Sequence, residues 1–241
     1  MIMLEKIYKW FDNYWYHYKW HTIIVLFFAI TITVCVSQCS ERTQPDIVVM
    51  YAGPRQLNAN EHREIELAFK AVMPSDYNDD GQKHAELNPL VLMTDKQLSE
   101  AKERIEAEGG KFYYDANTLN NNKNSFSNQM FAGESSICLL DPNWFDTVNK
   151  AGGFRKLADV LGYLPEKAIN DYSIRLKDIA FAQYFNAFDT LPDDTIICFR
   201  VFTSASSLMP GRTNEEKYEH QIDMFKSIMN FVLPEGAEIT E

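Results

Sequence analysis

Apolar residues in this chain follow three rhythms, and each predicts a different element. Between Trp20 and Cys39 they run together: "WHTIIVLFFAITITVCVSQC" carries no formal charge while His21 is neutral. A helix over this stretch rises about 1.5 Å per residue and so matches the roughly 30 Å of a hydrocarbon core. The hydroxyls of Thr22, Thr31, Thr33 and Ser37 can return hydrogen bonds to the helix backbone, which makes them tolerable in lipid. The pattern predicts a transmembrane helix over 20–39.

The second rhythm is a set of short, β-branched runs: "PDIVVMYAG", "LNPLVLM", "SSICLLD" and "DTIICFRVF". Each is bounded by turn residues and reads as a buried strand. The third has helical spacing. In "ANEHREIELAFKAVM" Ile65, Phe69 and Val72 share a face, with Asn60 as the expected N-cap and Pro74 as the stop. "TDKQLSEAKERIEAEGG" opens on a Thr94–Gln97 capping box and closes on glycine, and "DPNWFDTV" places Pro142 at a helix start. "GGFRKLADVLGYLP" adds a short helix. "NEEKYEHQIDMFKSIMNFVL" lines up Tyr218, Ile222, Phe225 and Met229. "DANTLNNNKNSFSNQ" reads as a long surface connection or the fraying start of a helix, and "DYSIRLKDIAFAQYF" as a strand pair or an edge ribbon.

Strands alternating with helices predict an α/β fold: a three-layer domain around a mainly parallel central sheet. No internal repeat and no shift in composition interrupts the chain after residue 44. The expected division is an aromatic cytoplasmic or interfacial segment over 1–19, the membrane span over 20–39, a linker over 40–44 and one α/β domain over 45–241.

Composition sharpens this picture. Apolar residues make up 46% of the chain, enough for a sizeable core, and the formal charge of −11 excludes nucleic-acid binding through clustered cations. The acidity lies after residue 40, where 20 basic residues face 32 acidic ones. Before the span, "KIYKWFDNYWYHYKW" sets aromatic rings among lysines, the pattern of a headgroup-level belt. It is longer and bulkier than the n-region of a signal peptide, so an uncleaved anchor is expected. Lys6, Lys9 and Lys19 precede the span against Arg42 closely after it. This places the N-terminus in the cytoplasm and the domain outside, at the cell membrane.

The cysteines fit that arrangement. In "VSQC" Gln38 occupies the place where lipoprotein processing needs a small residue, so lipidation of Cys39 is not expected. Cys138 and Cys198 fall in apolar runs and read as buried free thiols behaving as small hydrophobes, the alternative being a disulfide between them.

"DYNDDGQKHAEL" carries the one recognisable metal pattern, D-x-[DN]-x-[DN]-G. Asp76, Asn78 and Asp80 would supply side-chain oxygens to calcium, Gln82 its carbonyl, and Glu86 the carboxylate in place of the bidentate residue, because Leu87 stands at the twelfth position. The competing reading is a polar turn. Catalytic signatures are missing: "NEHREIE" has the wrong order for a zinc helix, and "GES" lacks the second glycine of a nucleophile elbow. An enzyme is not expected.

"DIVVMYAGP" resembles the first strand of bacterial extracellular solute-binding proteins, and "FAGESSICLLDPNWFDTV" with "GGFRKLADVL" resembles a later strand–corner–helix segment of the same proteins. With its anchor, the chain also resembles uncharacterised single-pass proteins of Gram-positive bacteria that carry such a domain. The resemblance covers residues 46–54 and 126–161 and implies a reduced periplasmic-binding-protein-like fold of type II. It further implies a ligand site at the carboxyl ends of the strands, at Tyr51, Gly53, Pro54, Asp141 and Trp144. The expected function is capture of a small solute, or an accessory role beside a membrane transporter. The alternative is an envelope scaffold that docks another protein and takes no small ligand.

Overall fold

The computed structural model describes residues 2–40, 44–113, 115–133, 135–203 and 215–234. The chain divides into two compact units, Met1–Gln44 and Pro45–Glu241.

The first unit is helix α1, Ile2–Ser40. At 1.5 Å per residue it is about 58 Å long. Its stretch Ile7–Cys35 is long and apolar enough to cross a membrane. The helix runs unbroken through the aromatic segment and the apolar stretch, since no glycine or proline interrupts residues 1–40. Rings stack along one stripe, Trp10 on Tyr14 at 5.7 Å and Tyr14 on Tyr18 at 5.4 Å, with Tyr18 edge-on to His21. Thr31 and Thr33 donate to the carbonyls of Phe27 and Ala29, four residues back along the helix. Thr22 meets the hydroxyl of Tyr14. The side chains of Ser37 and Cys39 lie outside the described residues.

The second unit is an α/β fold on a six-stranded open sheet. Its strands are β1 (Ile47–Gly53), β2 (Ala85–Val91), β3 (Ile137–Leu140), β4 (Ala168–Asn170), β5 (Ser173–Arg175) and β6 (Ile196–Phe199), in the order β2-β1-β3-β6-β5-β4. The sheet is mixed. β1 pairs in parallel with β2 and β3, whereas β6, β5 and β4 follow in antiparallel pairings. The expected parallel sheet is thus only its core. Only two residues separate β4 from β5, and a parallel crossover needs a dozen or more.

Period-two alternation sorts the strand residues into two cores. Ile47, Val49 and Tyr51 of β1, with Ile137, Leu139, Ile197 and Phe199, join Ile65 and Phe69 of α2 (Ala59–Val72). The same core takes Phe181 of α7 (Ala180–Tyr184), and Ile222 and Phe225 of α8 (Glu215–Met229). Met50, Ala52, Cys138, Leu140, Ile196 and Cys198 face the other way. They meet Leu119 and Phe126 of α4 (Ala116–Ala132) and Phe145 of α5 (Pro142–Lys150). α3 (Asp95–Ala107) buries no residue, and α6 (Leu157–Leu161) sends Leu157 and Val160 into the first core.

Of the two readings of "DANTLNNNKNSFSNQ", a long connection or the start of a helix, the structure has the helix, α4. It starts at Asp115, whose carboxylate accepts the N–H of Asn117. "DYSIRLKDIAFAQYF" becomes β5, a single 3-10 turn and α7 rather than a ribbon. α2 is capped by Asn58 instead of Asn60, and Glu61 completes the box by accepting the Asn58 N–H at 2.8 Å.

The free edge of β2 is guarded at several positions. Glu66 accepts the N–H of Leu87 at 3.0 Å and His62 Nε2 donates to its carbonyl at 2.8 Å. Pro89 has no N–H to offer on that edge, and Asn122 donates to the carbonyl of Val91.

Candidate functional site

β1 is central in the parallel part, with β2 on one side and β3 on the other. The chain leaving β1 enters α2 on one face of the sheet, and the chain leaving β3 enters α5 on the opposite face. The strand order therefore reverses between the carboxyl ends of β1 and β3, which opens a crevice there in α/β sheets. Tyr51, Gly53, Pro54, Asp141 and Trp144 all belong to these two ends.

Each of them also has structural work. Tyr51 is 1% exposed, and its hydroxyl accepts the N–H of Arg55 at 3.2 Å, which folds the turn after β1 back over the ring. Gly53 lies so close that a Cβ there would meet Tyr51 Oη at 2.8 Å. Burial pushes the Tyr51 phenol up to about 12, with the Asp141 and Asp194 carboxylates adding and the Arg55 N–H opposing. Pro54 is half-buried in the turn.

Asp141 is 4% exposed and is the N-cap of α5. One carboxylate oxygen accepts the N–H and the side-chain amide of Asn143, and the other accepts Gln97 Nε2 from α3 at 2.7 Å. Its own N–H donates to Ala52, tying it to β1. Trp144 packs edge-on against Phe126 at 5.6 Å, and its Nε1 is buried without a partner among the described residues.

Three polar residues at this edge were not anticipated. Arg55 pairs with Glu61 at 3.0 Å, and Asp194, exposed just before β6, is near enough to act on Tyr51. The Glu61 carboxyl is held below its usual range, first by the Asn58 N–H and then by Arg55. Only Gly53-Pro54 signalled the turn; the rest depends on which strands become neighbours. A groove of about 350 Å³ lies on the outer side of α2, lined by Leu57, Asn58, His62, Glu86 and Pro89.

The loop expected to hold calcium lies at the amino end of β2. Asp76 accepts the N–H of Gly81 at 2.7 Å with one oxygen and that of Asn78 with the other. Asn78 and Asp80 accept the N–H groups of Asp80 and Gln82. Asp79 and Gly81 adopt left-handed backbone, at φ 56° and 86°. Asp46 accepts from Tyr77, Asn78 and His84 and so ties the loop to the start of β1. Tyr77 stacks flat on His220 of α8 at 4.4 Å. Glu86 is not brought to the loop; it lies in β2 and lines the groove beside His62. Among the described residues no group of three His, Cys, Asp or Glu is placed to hold a metal ion.

Cys138 and Cys198 are buried free thiols, and Cys35 is exposed on α1. Comparison with protein-family models, with curated proteins and with solved structures finds no match for this chain.

Proposed function

We propose that the chain is a membrane-anchored binding protein, with α1 as an uncleaved anchor and the α/β unit outside the membrane on the extracytoplasmic face. The crevice between the carboxyl ends of β1 and β3 would take a small solute, either for itself or for a neighbouring transporter. One observation supports this reading: the strand order reverses between the carboxyl ends of β1 and β3, the ends that carry Tyr51, Gly53, Pro54 and Asp141 and lead to Trp144. The resemblance to extracellular solute-binding proteins points to the same edge. The alternative is an envelope scaffold that docks another protein; along β2 the backbone groups of Leu87 are already taken by His62 and Glu66.

The test is a thermal-unfolding screen of the full chain in detergent against amino acids, sugars and short peptides. A solute that raises the midpoint in the parent chain, and not in Asp194→Arg, supports the reading. A flat response across the panel, with a partner protein captured by crosslinking in membranes, transfers the function to docking.

Calcium at Asp76, Asn78 and Asp80 is a second proposal, resting on the Asp76–Gly81 hydrogen bond and the left-handed Asp79, which together curl the loop around its side-chain oxygens. Extracellular modules bind calcium at about 10⁻⁴–10⁻³ M, the range to titrate. Saturable binding lost in Asp80→Ala supports it. No heat and no change in melting leaves a turn.

A further inference from the structure

The β3–β6 register sets Cys138 directly opposite Cys198, with both side chains in the core beneath α4 and α5. The hydrogen-bond phase of that pairing follows from its neighbours. Arg200 N–H donates to Ser136 O at 2.8 Å, whereas Asp141 N–H on the other edge of β3 donates to Ala52. Successive residues of a strand present their backbone groups to opposite edges, so Ser136, Cys138 and Leu140 face β6. Cys138 and Cys198 therefore form a hydrogen-bonded pair.

That phase has chemical consequences. The Cα atoms of such a pair stand about 5.5 Å apart, inside the range of bridged cysteines. Their Cβ atoms stand near the long end of the cross-strand range, about 5.5 Å, whereas a relaxed disulfide wants roughly 3.5–4.5 Å. A bridge can close here only by drawing the strands together, and strained bridges are the readily reduced ones.

The reduced pair is shielded. Both residues are 0% exposed, and each thiol meets a carbonyl, Cys138 that of Ser136 and Cys198 that of Cys138. Burial, then the neighbouring Cys138, pushes the Cys198 thiol well above its ordinary range, which starves exchange of thiolate. The cover is thin on one side. α4 covers this core with buried Leu119 and Phe126 and half-buried Met130, a narrow stripe, so local opening of α4 would admit an oxidant.

We propose that Cys138 and Cys198 are a redox-labile cross-strand pair, closed to a disulfide by exchange with a small-molecule disulfide such as oxidised glutathione and reopened by the reduced form. One thiolate attacks the oxidant and releases a first thiol. The second cysteine then displaces the mixed disulfide and releases another. The two electrons leave with the two released thiols, and the Cys138–Cys198 bond is the only one gained by the protein.

The test equilibrates the full chain in detergent with glutathione mixtures, traps free thiols by alkylation and maps peptides by mass spectrometry. The expected product is a linked pair of peptides containing Cys138 and Cys198. It should appear about tenfold faster or more in mild urea, where α4 opens, and return to two alkylated thiols in excess reduced glutathione. Full alkylation of both cysteines after refolding in oxidised glutathione alone overturns the pairing. A bridge that resists reduced glutathione in the same mild urea overturns its lability and makes it a permanent staple. Neither readout depends on a variant folding; Cys138→Ala serves as the control for linkage to Cys35 or Cys39.

Discussion

Arg200 Nη2 lies 2.8 Å from the carbonyl oxygen of Gly133, so the residue that follows β6 closes the carboxyl end of α4. Its Nε and Nη1 donate to Ser135 and Met130, and the whole side chain is 0% exposed. Burial lowers the guanidinium below its usual range, and no carboxylate among the described residues pairs with it. The carbonyl end of a helix carries partial negative charge, which is what makes this cation tolerable.

Removing it should be costly. Arg200→Met keeps the bulk but leaves three carbonyls without their donor, and each unsatisfied buried group costs about 1–3 kcal/mol. Arg200→Lys should recover only part of this, since one ammonium cannot reach three carbonyls in a fixed fork. Urea unfolding gives the ranking: parent, then lysine, then methionine. A lysine variant as stable as the parent would mean that the charge, not the fork, is what matters.

Asp141 makes a paired prediction. Asp141→Ala loses the cap of α5 and the link to Gln97, and cap removal alone costs about 0.5–2 kcal/mol. Asp141→Asn keeps an accepting oxygen for Asn143 and should fall between. If both variants unfold like the parent, the carboxylate is spare for a ligand and its structural role is minor.

Gly53 and Tyr51 should be coupled. Gly53→Ala pushes a methyl toward Tyr51 Oη and should destabilise by about 1–3 kcal/mol, as overpacking does. On a Tyr51→Phe background the oxygen is gone and the penalty should shrink, a difference that a double-mutant cycle reads directly. Additive effects would place the strain elsewhere.

Two phenols respond to alkali. Burial pushes both Tyr51 and Tyr77 up to about 12 from an ordinary 10. Between those values the unfolded chain releases protons that the folded chain retains, so stability is intact below pH 10 and falls as pH rises toward 12. Ultraviolet titration should find phenols that ionise late, and their number should drop by one in Tyr77→Phe.

The loop offers a backbone test. Asp79 sits in the left-handed region, where a side chain costs about 1–2 kcal/mol, so Asp79→Gly should be neutral or stabilising. Gly81→Ala, at φ 86°, should destabilise although nothing within 4 Å obstructs its methyl.

How far these features can be read from the sequence depends on their range. The Thr94–Gln97 box is visible because both partners sit within one turn. Asn58 caps α2 in place of the expected Asn60 because Glu61 falls at its third helical position, whereas Asn60 would put Arg63 there. α4 was obscured because it buries only Leu119 and Phe126, too narrow a stripe for a helical rhythm. Arg200 passed as one polar letter in "ICFRVF", since its carbonyl partners lie some seventy positions earlier and only the β3–β6 pairing gathers them. The ends of β1 and β3 were legible as two strand ends. Arg55, Glu61 and Asp194 join that edge only through the order of the strands.

With α1 as the proposed anchor, the guarded edge of β2 bears on how many copies could share a membrane. Chains held by α1 would diffuse in a plane, where neighbours meet repeatedly and in similar orientation. Each meeting would offer one sheet to the next if Leu87 and Val91 presented bare backbone. His62, Glu66, Pro89 and Asn122 remove that offer. Crowding along the bilayer would then leave this edge inert, and the proteins could be dense without fusing into a continuous ribbon.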